Sequence, residues 1–182
     1  MESKQNRILK LFFNEPTREW HFEEILKIAK ITRGKAANWL RKLSKEKIIT
    51  RVKEKSKMPY YVANHSLPEY KNLKKLYALE QFHKSGFLNH LTSLKKARAI
   101  ILFGSFARSD WNGESDIDLF IYGDPDGLKI MPYELELNHE IQLFLCKNPK
   151  DLKKYGSGML RNIIKGMLIR GEIDFLKVES NA

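Results

Sequence analysis

The sequence predicts an α+β protein in two parts: a basic module of helices and a β-hairpin, then a small α/β domain with a mixed sheet. Three observations carry this. Apolar residues recur at helical spacing through residues 8–43. Two β-like runs at 48–52 and 60–62 flank a lysine-rich tip. An apolar run at 99–103 and a second strand-like run at 116–121 flank a glycine-serine turn, and the second run carries an acidic pair. The expected organisation is an N-terminal module over 1–65, a helical linker over 66–96 and a second domain over 97–182.

The first element takes its apolar face from Ile8, Leu9, Leu11 and Phe12. Trp20, Phe22, Ile25, Leu26 and Ile28 mark a second helix, and a third begins at Thr32, suited to an N-cap. That third helix carries Ala36, Trp39, Leu40 and Leu43 on one face, which assigns Trp39 to the core. Its other face shows Arg33, Lys35, Asn38, Arg41, Lys42 and Lys45. Residues 53–57, between the two β-like runs, read as a basic hairpin tip.

Charge agrees with this division. Residues 1–60 hold 16 Lys or Arg against 7 Asp or Glu, whereas 61–182 hold 17 against 15. A basic domain attracts nucleic acid, but a solvated lysine-rich surface explains the same excess, so the element pattern has to decide. The apolar runs are far too short to span a membrane. Residues 1–10 lack an apolar signal-peptide core. The single cysteine, Cys146, allows no intramolecular disulfide and no cysteine-based zinc site. These features together lead to an expected cytoplasmic location with no membrane partner.

In its order of helix, helix, basic helix and basic hairpin, the segment 1–65 resembles a winged helix-turn-helix. The resemblance implies DNA as partner, with Arg33, Lys35, Asn38 and Arg41 facing the major groove and Lys53, Lys55 and Lys57 on phosphates. Winged helices also mediate protein contacts, and they often form homodimers.

Pro68 sits where a helix begins. Leu73, Leu76, Tyr77, Leu79, Phe82 and Leu88 continue a helical pattern with a break at Gly86. His83 and His90 read as surface or packing residues.

The sharpest signal lies at residues 97–123. A buried strand over 99–103 stops at Gly104-Ser105, and Phe106-Ala107-Arg108 opens a turn or helix. Asn112-Gly113 marks a turn, and Asp116 to Ile121 reads as the next strand. Residues i and i+2 of a strand share a face, so Asp116 and Asp118 project together while Ile117 and Leu119 turn inward. Adjacent carboxylates repel each other, and a bound Mg²⁺ removes that penalty. Gly104 lets the backbone approach a phosphate, Ser105 donates to phosphate oxygens, and Arg108 offers a forked donor.

Gly104-Ser105 followed by Asp116-x-Asp118 resembles the DNA polymerase β nucleotidyltransferase superfamily. The fuller string, GSFAR then SDIDL, resembles its minimal branch over residues 95–175. The resemblance implies Mg²⁺ held by Asp116 and Asp118, and a nucleoside triphosphate held by Gly104, Ser105 and Arg108. It also implies transfer of a nucleoside monophosphate to a hydroxyl acceptor, and a third carboxylate on a neighbouring strand. There this sequence departs from the family. Gln142 takes the acid's place on the strand starting at Glu140, and Gln brings neither charge nor basicity. Two readings stay open: Glu140 or a substrate group completes the site, or catalysis is weakened and the chain is a DNA-binding transcriptional regulator that senses nucleotide. A third, lower-ranked reading has the transferase modify a partner protein.

The remaining features read structurally. Asp124 and Asp126 belong to a turn, Glu134 and Glu136 face solvent, and Cys146 packs as a small hydrophobe. Met159, Leu160, Ile163, Ile164, Met167 and Leu168 form a last helix ended by Gly171, with Asp174 on a short final segment.

Overall fold

A computed structural model describes residues 3–173. They form two compact units, one of residues 3–77 with 109–114, the other of 78–108 with 115–173. The fold is mixed α and β, and among the described residues no helix is long and apolar enough to cross a membrane. The segment containing Asp174 lies outside the described residues.

The first unit opens with α1 (Lys4–Asn14), whose Ser3 hydroxyl caps the Asn6 amide. Helices α2 (Phe22–Ala29) and α3 (Arg33–Lys45) follow. Strands β1 (Trp20–His21), β2 (Ile49–Val52) and β3 (Tyr60–Ala63) make an antiparallel sheet ordered β1-β3-β2. Ile8, Phe12, Ile25, Ala36, Leu40 and Leu43 are fully buried, as their helical spacing requires.

Two assignments change here. Trp20 belongs to β1, paired with Tyr61, not to α2. The helix starts one residue beyond His21, whose amide donates to Glu24 in a capping box. A run with two aromatic residues suits either element, and pairing with β3 decides it. Trp39 is only half-buried, and Lys42 Nζ lies 5.0 Å from its ring centroid. Ala36, Leu40 and Leu43 fill the core without it.

Helix α4 (Pro68–Lys84) begins at the expected proline, and Gly86, at φ 78°, separates it from α5 (Phe87–Ser93). The helical pattern did not reveal Lys74, which is 1% exposed. Its ammonium donates to the Phe13 carbonyl at 3.0 Å and to the Trp111 carbonyl. The rings of Trp111, Tyr70 and Phe13 surround it, with centroids 4.5, 5.4 and 5.8 Å away. The Gly113 amide donates to Asn14 O at 2.9 Å, so segment 109–114 is an integral part of the first unit.

In the second unit, β4 (Ala97–Phe103), β5 (Ile117–Gly123), β6 (Ile141–Cys146) and β7 (Met167–Gly171) form a mixed sheet ordered β6-β5-β4-β7. Only the β5–β6 pair is parallel. The parallel pairing requires a crossover, which α7 (Met131–Leu137) supplies. One face of the sheet carries Ala99, Ile101, Phe103, Phe120, Tyr122 and Cys146. Against it pack Leu152 and Tyr155, at the 3-10 turn after β6, and Met159, Leu160 and Ile163 of α8 (Ser157–Ile164).

The last helix is shorter than its apolar spacing suggests. It ends at Ile164, and Met167–Gly171 pairs with β4 instead. A Cβ on Gly166 would lie 2.6 Å from both the Ile101 side chain and the Leu102 carbonyl, so this close approach requires glycine. Met and Leu fit either periodicity, and the open edge of β4 captures them. Glu134 also departs from expectation: it is half-buried, and its carboxylate accepts from the Ile141 amide at 2.9 Å.

Burial lowers the Lys74 pKa to about 8, against an ordinary 10.5, although Asp110 opposes the shift. Between those values the unfolded chain holds the proton more tightly, so stability rises with pH across that window, by at most roughly 3 kcal/mol. Below pH 8 the full cost of burying the charge is present. Urea midpoints at pH 7.5 to 10 are expected to climb in the wild type relative to Lys74→Met; parallel curves would contradict this.

Candidate active site

Strand β4 runs straight into α6 (Gly104–Arg108), and Gly104 makes the turn at φ +68°. The antiparallel register sets Phe103 opposite Asp118. A Cβ on Gly104 would lie 2.8 Å from Asp118 Cγ and closer still to a carboxylate oxygen. Glycine is therefore required twice, by its backbone angle and by the carboxylate beside it.

Asp118 is half-buried on β5, and Asp116 is exposed just before that strand begins. The strand is one residue shorter at this end than the sequence pattern indicates. Burial pushes the Asp118 carboxyl above its ordinary range; the Asp116 charge pushes the same way, and the Arg108 charge opposes both. Asp118 thus feels the charges of both Asp116 and Arg108. Ser105 is half-buried and Arg108 exposed, both on α6.

The parallel ladder from β5 to β6 sets Asp118 opposite Gln142 and starts at Ile117 with Ile141. Asp116 and Glu140 immediately precede it on the two neighbouring strands, which lie on the order of 5 Å apart. The Ile117 amide donates to Glu140 O at 2.8 Å. Among the described residues no three His, Cys, Asp or Glu side chains converge. A cation here would therefore meet two carboxylates, with the Gln142 carbonyl oxygen or Glu140 nearby. Two mutually repelling carboxylates, one of them half-buried, form a donor set that fits a hard divalent cation.

His139 was not singled out by the sequence. Its ring meets Phe106 of α6 edge-on, centroids 5.0 Å apart, and its Nδ1 lies 2.7 Å from the Ser115 carbonyl oxygen. Nothing local in the sequence pairs residues 24 apart; the parallel crossover does.

The residues expected to face DNA lie in the first unit. Arg33, Lys35, Asn38 and Arg41 are exposed on α3, and Lys53, Lys55 and Lys57 are exposed between β2 and β3. Arg33 Nη2 lies 2.7 Å from Glu23 and Lys57 Nζ 2.6 Å from Glu54, and Arg41 Nη1 donates to Asn38 Oδ1 at 3.5 Å. Such exposed pairs hold side chains weakly and give way to a phosphate at little cost.

Residues 88–174 match the family model described as Polymerase beta, Nucleotidyltransferase, so this stretch of the chain is similar to a nucleotidyltransferase domain. Among individual proteins, a Methanocaldococcus jannaschii protein provisionally named a protein adenylyltransferase is 55% identical over 42 residues. That stretch is 22% of this chain and 42% of the relative, so the chain spans less than half of the relative's length. Among solved structures, the crystal structure of apo (heme-free) PefR aligns with 46% of this chain and 73% of its own. It does so at a TM-score of 0.36 and 17% identity, a likeness too slight to carry any argument.

Gly104→Ala is expected to destabilise the second unit by about 1–2 kcal/mol from the backbone angle alone, and further by displacing Asp118. Urea unfolding of the variant checks this, and an unchanged midpoint would contradict the geometry.

Proposed function

We propose that the second unit is a Mg²⁺-dependent nucleotidyltransferase that moves a nucleoside monophosphate from a nucleoside triphosphate to a hydroxyl acceptor. The observation that carries the reading is the placement of Asp118 against the Gly104 turn, with the charges of Asp116 and Arg108 acting on it. The family match over residues 88–174 supports the same reaction class. Asp116 and Asp118 would hold the metal, which supplies charge neutralisation at the triphosphate and a lowered pKa for the attacking hydroxyl. Gly104 gives the backbone room beside the phosphates, Ser105 donates a hydrogen bond to them, and Arg108 offers a forked guanidinium. The acceptor oxygen bonds to the α-phosphorus as the bond to the bridging α–β oxygen breaks. Pyrophosphate leaves, and the acceptor proton passes to solvent or a phosphate oxygen.

The first unit is read as a winged helix that binds DNA through α3 and the β2–β3 tip. The order β1-β3-β2 behind three helices and the exposed cations on α3 and the tip support this.

Gln142 opposite Asp118 favours a second reading, in which transfer is weakened and the chain is a DNA-binding regulator that senses nucleotide. Incubation with labelled nucleoside triphosphates, Mg²⁺ and candidate acceptors separates the two. Transfer that falls about a hundredfold or more in Asp116→Ala and Asp118→Ala is expected for the enzyme, since metal stabilisation is worth several kcal/mol. No transfer, together with nucleotide-responsive DNA binding, is expected for the regulator.

For DNA, Lys53→Ala and Lys55→Ala are each expected to lower the slope of log affinity against log salt by about one. Salt titrations by fluorescence anisotropy read this out. Binding that ignores salt, or is indifferent to both changes, would remove DNA as the partner.

A further inference from the structure

We infer that His139 is a positioning residue for the metal site, holding the chain on one side of Asp116 so that its carboxylate stays directed at the cation shared with Asp118. The inference rests on the metal-site reading above.

Asp116 precedes β5 and is exposed, so no strand ladder of its own fixes it. Its two neighbours are nevertheless held by one dipeptide. On one side the Ser115 carbonyl accepts from His139 Nδ1 at 2.7 Å. A carbonyl only accepts, so Nδ1 carries the hydrogen. On the other side the Ile117 amide donates to the Glu140 carbonyl at 2.8 Å. The residue between is thus held through the backbone on both sides.

His139 is itself held by its surroundings. Its amide donates to Glu134 O at 3.3 Å, and Asn138 before it takes the left-handed conformation, φ 56°. The Glu134 carboxylate holds the Ile141 amide two residues later. The imidazole ring packs at right angles on Phe106, which is 4% exposed and sits one residue after Ser105. One side chain therefore links the helix carrying Ser105 and Arg108, the segment carrying Asp116 and the start of the strand carrying Gln142. Supporting groups of this kind orient the residues that bind a metal, and losing one weakens metal affinity roughly tenfold to a hundredfold.

The test is Mn²⁺ binding to the full chain by calorimetry, with a non-hydrolysable nucleoside triphosphate present. His139→Phe keeps an aromatic ring against Phe106 and removes the donor; His139→Asn keeps an N–H near the Nδ1 position. His139→Phe is expected to weaken Mn²⁺ affinity at least tenfold while its melting temperature stays near that of the wild type, and His139→Asn to recover most of the loss. Mn²⁺ affinity unchanged in His139→Phe, or as weak in folded His139→Asn as in His139→Phe, overturns the inference. If His139→Phe does not fold, His139→Asn alone decides, near-wild-type affinity supporting the inference and tenfold weaker affinity overturning it. A wild type that binds no Mn²⁺, or binds it as tightly as Asp116→Ala and Asp118→Ala do, instead overturns the metal-site reading and the inference with it.

Discussion

The approach of the Asp118 carboxyl to the Gly104 backbone constrains what surrounds it. A carboxylate that is half-buried resists ionisation, and a second acid two residues away adds to that resistance. The fold accepts this cost in a region where the chain also adopts a backbone angle that disfavours any side chain. Arg108, at the end of the same short helix, offsets part of it. A backbone angle that only glycine adopts easily, two acids that repel each other and an exposed guanidinium meet at this corner, a costly arrangement for a merely structural one. They suit the triphosphate and cation of the proposed reaction.

The support for that corner comes from elements distant in sequence. The parallel β5–β6 ladder brings Gln142 opposite Asp118 and ties the residues on either side of Asp116 to the dipeptide of His139 and Glu140. Helix α7 makes this pairing feasible, because parallel strands need a crossover. Its Glu134 then caps the start of the next strand. Substituting Gln for an acid at residue 142 reduces the negative charge near Asp118 without changing the register that places it there.

In the first unit a different buried charge does the organising. Lys74 gathers two backbone carbonyls and three aromatic rings, one of each supplied by Trp111. Residues 109–114 lie in the chain between Arg108 and Ser115, yet they fold with the first unit. A single lysine in an otherwise acceptable helical pattern gives no sign of this. Only partners far away in sequence reveal that the ammonium is desolvated.

The local pattern of the sequence was sufficient for much of the architecture. The spacing of Ile8, Phe12, Leu40 and Leu43, the stop at Gly86 and the glycine-serine turn after residue 103 were readable because each depends on neighbours within a few residues. The acidic pair was legible only as two residues: Asp116 precedes β5, so side-chain alternation on the strand places Asp118 alone. Where two conformations suit the same residues, tertiary structure decided. Trp20 became a strand because β3 offered hydrogen bonds, and Met167–Gly171 did so because the edge of β4 was open. Trp39 stayed half-exposed because smaller neighbours had filled the core. The burial of Lys74 and the reach of His139 to Ser115 were settled last. Both depend on desolvation and hydrogen bonding between segments that only the folded chain brings together.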